Sequence, residues 1–167
     1  IHMVMAMVVV AFILYLIYAS KLTFKDQKFD TIFRNVIMVA LMLTLVQVVL
    51  GTQVRQHIDE RVKDIGYIKS LWMENPTLQF YVHRSFSVLV LGINGWLFFR
   101  SKKLNLGYQK THLLMLCILT EVITGIAMYY FDFPFLSQPL HLVIALIMFG
   151  IQFYIYLESR HKKELLT

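Results

Sequence analysis

Charge is scarce in this chain, and so are the residues that break helices. Charged side chains make up 16% of it against 58% hydrophobic ones, with only three prolines and seven glycines. That balance excludes a soluble domain of this size, which needs more polar cover. The single cysteine, Cys117, sits inside an apolar run, so no disulfide and no thiolate metal site forms within one chain. Acidic residues are the scarcer sign, and the formal net charge is +6. In a soluble protein that excess would suggest nucleic acid; in a chain this apolar it marks the cytoplasmic loops of a membrane protein, and no nucleic-acid partner is expected. The chain opens on Ile1 with no start methionine and no charged leader, so a truncated start is expected rather than a signal peptide.

What is there is a set of five apolar runs, over residues 3–19, 36–54, 81–99, 112–130 and 140–157. Each is long enough, or nearly so, to cross the ~30 Å of hydrocarbon that takes about 20 helical residues. Backbone groups are not left unpaired in lipid, so the runs are predicted as helices. Lys21, Lys25, Lys28 and Arg34 follow the first run, Arg100, Lys102, Lys103 and Lys110 the third, and Arg160, Lys162 and Lys163 the fifth. The excess of basic residues there puts those segments in the cytoplasm, the N-terminus outside and the C-terminus inside. Within the outer connection Ile58, Val62, Ile65 and Ile68 recur at helical spacing, which predicts a short amphipathic helix on the outer surface.

The first run repeats the last. Residues 1–7 read like residues 140–146, apolar but for one histidine, and the register continues with Ala11 on Gly150, Tyr15 on Tyr154, Ser20 on Ser159 and Lys21 on Arg160. A repeat of this kind signals a duplicated architecture. The expected fold class is therefore all-α integral membrane, a four-helix transmembrane bundle plus one extra N-terminal transmembrane helix left from a preceding homologous bundle. The expected divisions are that last helix over residues 1–20, a cytoplasmic linker over 21–33, the C-terminal four-helix bundle over 34–158 with an outer loop over 56–79, and a cytoplasmic tail over 159–167.

Topology sorts the six histidines. His2, His57, His83 and His141 fall at outer helix ends, His112 and His161 on the inner side. His83 and His141 open helices running the same way, so they share a depth, and two facing imidazoles can clamp a haem iron axially. One turn below stand the small residues Ser87 and Ala145. The second and fourth spans carry matching stretches, Gln47 to Gly51 and Glu121 to Gly125, whose glycines allow close approach of another helix or of a ring face. Gln47 and Glu121 are polar near mid-membrane, where polarity is costly; Glu121 reads equally as a proton relay or as a protonated acid bonded to a neighbouring helix. Arg55 and Arg84 lie at the outer boundary, against the charge rule. They suit two haem propionates, and snorkelling to lipid phosphate remains the plain alternative.

Gly51-Thr52-Gln53-Val54-Arg55, His83-Arg84, Glu121-Val122-Ile123-Thr124-Gly125 and Gln138-Pro139-Leu140-His141 together resemble haem A synthase over nearly the whole chain. The resemblance implies an oxidoreductase of two tandem bundles that oxidises a methyl group of haem O to the formyl group of haem A for terminal oxidases. It implies a bacterial cell membrane, membrane lipid around the protein, and haem O synthase or oxidase assembly factors as partners. It makes His83 and His141 the ligands of a haem b, with Arg55, Arg84, Ser87, Gly51 and Gly125 around that cofactor. His2 becomes an iron ligand in the preceding bundle, and His57 lies near the haem or the loop above it. The family's catalytic carboxylate stands one turn before a histidine in that preceding bundle; here the residue one turn before His83 is Phe80, so these residues alone are not expected to make haem A. Two other classes stay open on the residues: a membrane b-type cytochrome that only passes electrons, and a structural subunit without cofactor.

Overall fold

The computed structural model describes residues 2–21, 28 and 30–160, and no strand occurs among them. Five α-helices follow one another: α1 (His2–Ala19), α2 (Thr31–Ile65), α3 (Leu78–Lys103), α4 (Lys110–Tyr130) and α5 (Ser137–Arg160), with one 3₁₀ turn at Lys69–Leu71 before α3. All five are long and apolar enough to cross a membrane, and the protein is an all-α integral membrane protein. Lys25, His161, Lys162 and Lys163, and with them the expected tail beyond Arg160, lie outside the described residues.

α2 packs on α3 and α5, and α4 packs on the same two helices, so these four close into a ring with α3 and α5 on one diagonal. Each turns one narrow stripe inward. On α2 the buried positions are Phe33, Ile37, Ala40, Leu41, Thr44 and Val48, at the three- and four-residue spacing of one helix face. The outward faces carry exposed Met38, Val39, Met42, Val46 and their like, the surface that a bilayer covers. Deep inside, Gln152 of α5 donates from Nε2 to Oδ1 of Asn94 on α3 at 2.9 Å, and Asn94 donates in turn to Val90 O at 2.8 Å.

The end of the ring away from the histidines is fastened by charge. Asp30 caps α2, accepting from the amides of Ile32 and Phe33 at 2.9 and 3.4 Å, and so meets donors that would otherwise be orphaned. Its carboxylate also takes Nε and Nη2 of Arg100, from the last turn of α3, at 2.7 and 3.3 Å. Lys110 at the head of α4 donates to Glu158 near the foot of α5 at 2.8 Å. Two of the basic residues that mark this face in the sequence are thus matched by acids from other segments. The Arg100 hydrogen bond holds the Asp30 carboxyl below the usual carboxylate range. Because the folded value is depressed, the stabilisation is present above the unfolded value of about 3.9 and is lost as pH falls through the folded value. Asp30→Asn keeps a good cap but loses the ion pair, so its melting midpoint is expected to be lower near neutrality and flatter below pH 4 than that of the unaltered protein.

At the other end the second helix departs from the sequence reading. Instead of ending near Val54 and giving way to a separate amphipathic helix, α2 runs unbroken to Ile65 and stops at Gly66, whose φ of 72° suits glycine and whose amide bonds to Val62 O. The outer loop expected over 56–79 is therefore helical in its first part and begins at Gly66. Ile58, Val62 and Ile65 do share a face, covered by Trp72 and Phe133; Ile68 lies beyond the helix and is exposed. Three hydrogen bonds to backbone oxygens pin this cap: Trp72 Nε1 to Gly66 O at 3.1 Å, Lys69 Nζ to Phe133 O at 2.9 Å, and Arg61 Nη2 to Leu71 O at 3.2 Å.

The helix that repeats α5 lies beside it. Val10 and Leu14 of α1 face Gly150, and Tyr18 meets Tyr154 edge-on at 6.3 Å, so the two helices run parallel. Met7, the buried side chain of α1, packs with Leu41, Val48 and Phe149, while Ala11, the repeat equivalent of Gly150, borders the same cluster. A Cβ on Gly150 would come 3.3 Å from Leu14 Cδ1, the movable end of a side chain. Gly150→Ala should therefore be tolerated, whereas Gly150→Leu overpacks the contact by about 1–3 kcal/mol. The expected readout is a lower melting midpoint in detergent for the leucine variant, restored by Leu14→Ala.

Candidate functional site

α3 starts at Leu78 and α5 at Ser137, slightly earlier than the hydropathy suggests, so His83 and His141 stand in second turns and not at first residues. Pro139 causes no break, because a first-turn proline gives up an amide that has no partner inside the helix. The two helices are the diagonal pair of the ring, and the two imidazoles lie within electrostatic reach of each other.

Each histidine is met by the glycine of the preceding helix. A Cβ on Gly51 would stand 3.1 Å from Cε1 of His83, 3.6 Å from Nδ1 and 3.9 Å from Nε2. A Cβ on Gly125 would stand 3.8 Å from Cε1 of His141. What the glycines admit is therefore an imidazole of this chain. The hairpins α2–α3 and α4–α5 are built alike, with the polar residue four places before each glycine also reaching the histidine. Gln47 donates from Nε2 to the backbone oxygen of His83 at 3.1 Å. Glu121 Oε2 lies 3.0 Å from Nδ1 of His141.

Thr124, which the sequence reading passes over, completes the second of these contacts. Its hydroxyl donates along its own helix, to Thr120 O or Glu121 O at 2.9 and 3.0 Å, and lies 2.8 Å from His141 Nδ1. A hydroxyl has one proton: given to the helix, it leaves the oxygen to accept from the ring, in the tautomer with the hydrogen on Nδ1. Nε2 of His141 is left with its lone pair, the form a metal requires. The Nδ1 atom of His83 is buried and without a hydrogen-bond partner among the described residues, as is Oε1 of Gln47.

The other expected residues fall around this pair unequally. Ser87 is half-buried one turn below His83, its hydroxyl turned back to Arg84 O at 2.6 Å. Arg84 is exposed, its guanidinium 5.8 Å from the centre of the Tyr129 ring, and Phe80 stacks on that same ring at 5.0 Å. Arg55 is exposed and occupied by Asp59 at 2.8 Å and by the side chain of Gln138. His57 is half-buried on the extension of α2, with Nε2 unpartnered. His2 stands exposed at the head of α1, outside the ring. His112 is exposed at the opposite end, edge-on to Phe98 at 4.9 Å, as an interfacial residue would be.

No solved structure matches the chain. The Heme A synthase of Ehrlichia canis (strain Jake) is 29% identical over 97 residues, which cover 56% of this chain and 27% of that relative's length. The chain thus spans well under half of the relative it matches. Residues 1–153 match the family described as cytochrome oxidase assembly protein, COX15-CtaA. That match takes in α1, the whole ring down to the last turns of α5, and both histidines; the chain belongs to this family of cytochrome oxidase assembly proteins.

Proposed function

We propose that the ring of α2 to α5 is the haem b bundle of a haem A synthase, with His83 and His141 as the two residues that would hold its iron. The observation that carries this reading is the pair of imidazoles on diagonal helices, one of them fixed by Glu121 and Thr124 with Nε2 left for iron. The residues present fit the group. Both rings are partly buried, the His83 Nδ1 atom lacks a partner among the described residues, and glycine stands at position 51, where a side chain would crowd an imidazole. Ser87 leaves room beside the ligands. Arg55 and Arg84, at the same end, would pair with the propionates, Arg55 by releasing Gln138 or Asp59. Haem, when bound, would supply one-electron chemistry; the chain's own part is to hold the two imidazoles.

On this reading the histidine end faces outward and the basic end the cytoplasm of a bacterial cell, following the distribution of Lys and Arg. The substrate is haem O, and haem O synthase or oxidase assembly factors are the partners. Oxidation of its methyl group belongs to a preceding bundle, for which His2 supplies one iron ligand. Phe80, stacked on Tyr129, is no acid or base, so residues 1–167 by themselves yield no haem A. The test is a reduced-minus-oxidised spectrum of the purified protein with haem counted per chain. A low-spin b-type signal with one haem for this bundle is expected; a blank spectrum, or two haems in this bundle, overturns the assignment.

A further inference from the structure

The two hairpins differ at one position that matters to an iron held between them. Four residues before the glycine, α2 has Gln47 and α4 has Glu121. Resting on the haem reading above, we infer that Glu121 is the positioning residue of His141, Gln47 its neutral counterpart at His83, and that this difference makes His141 the stronger-donating axial ligand.

At His141 one arrangement satisfies all three groups. Thr124 uses its proton within α4, so the hydrogen on Nδ1 is shared between the Thr124 hydroxyl at 2.8 Å and Glu121 Oε2 at 3.0 Å. Two oxygens, one from a carboxyl group, grip the same edge of the ring, fixing both its tautomer and its rotation. A metal-bound imidazole that gives its second N–H to a carboxylate becomes a more basic ligand, and second-shell hydrogen bonding is one of the levers on haem potential. The Glu121 side chain is 13% exposed and sits in an apolar span, where an acid is expensive to keep without a use.

At His83 the equivalent contact is of another kind. Gln47 spends its amide hydrogen on the histidine's backbone oxygen, which places α3 without gripping the ring. Neither Oε1 of Gln47 nor Nδ1 of His83 has a partner among the described residues, and any bond formed between them would be neutral. The pair of imidazoles is therefore unequal although the helices bearing them are built alike.

The haem-loaded protein tests this by its midpoint potential and the low-spin ferric EPR signal. Glu121→Gln preserves shape and removes the carboxylate; it is expected to retain haem, shift the midpoint upward and move the EPR g-values toward those of a neutral bis-imidazole pair. Gln47→Glu puts a carboxyl group in the matching position on α2, beside His83, and is expected to shift the midpoint downward. An unchanged midpoint and unchanged g-values in Glu121→Gln overturn the inference and leave the haem assignment standing. Should Glu121→Gln fail to hold haem, Gln47→Glu decides alone, and an unchanged midpoint there overturns it equally. Absence of any low-spin haem in the unaltered protein defeats the assignment on which the inference rests.

Discussion

Alanine in place of His83 or of His141 is expected to remove the low-spin haem spectrum altogether, and each replacement to do so alone. An iron held by two imidazoles loses its spin state with either, so no graded effect is anticipated. Loss of an outer hydrogen-bond partner already costs roughly 10–100-fold in metal affinity; loss of the ligand itself should exceed that. His112→Ala is the matched control, because that histidine is exposed at the far end of α4, with Nδ1 near Gln109 O of its own helix turn. Absorption spectra of the three purified variants decide the matter. A persisting low-spin signal in either ligand variant would move the iron elsewhere.

Side chains on the two glycines are expected to have unequal effects. At Gly51 the added Cβ would lie 3.1 Å from an atom of the His83 ring, closer than ordinary van der Waals contact, so the imidazole must move. At Gly125 the corresponding distance is 3.8 Å, which a methyl group tolerates. Gly51→Ala should therefore lower haem occupancy and disturb the spectrum, and Gly51→Val should abolish binding. Gly125→Ala should remain close to the unaltered protein in both respects. Overpacking of a fitted contact costs about 1–3 kcal/mol, enough to empty much of a site while the helices stay folded. Circular dichroism with haem content separates displaced ligation from unfolding. Equal behaviour of the two alanine variants would show that the glycines serve helix packing alone.

Much of this arrangement was legible before any coordinates. The five spans follow from uninterrupted apolar runs, and the two histidines from matched depth and from the repeat. The end of α2 did not, because hydropathy falls at Arg55 while helix propensity does not. No glycine or proline stands between Gly51 and Gly66, and reading for breakers rather than for polarity would have carried the helix to its observed stop. Thr124 and the grip on His141 Nδ1 were hidden because helical spacing shows which residues share a face, not which atom of a ring they reach. The pairings of Arg100 with Asp30 and of Lys110 with Glu158 were hidden for the same reason: counting charges along the chain separates partners that meet across the ring. The Asn94–Gln152 contact had a signal that went unused, since each residue stands eleven places after its helix's histidine.

That amide-to-amide contact has a mechanical consequence. It joins the two diagonal helices that carry the imidazoles, three turns deeper, and neither partner can gain or lose a proton in any ordinary range of pH. A clasp without charge is indifferent to salt, to acidity and to whatever charge resides between the rings above it. On the proposed haem reading, the helices bearing the two ligands would thus share a tie whose strength does not follow the charge of the iron, and which would limit the rearrangement accompanying each electron.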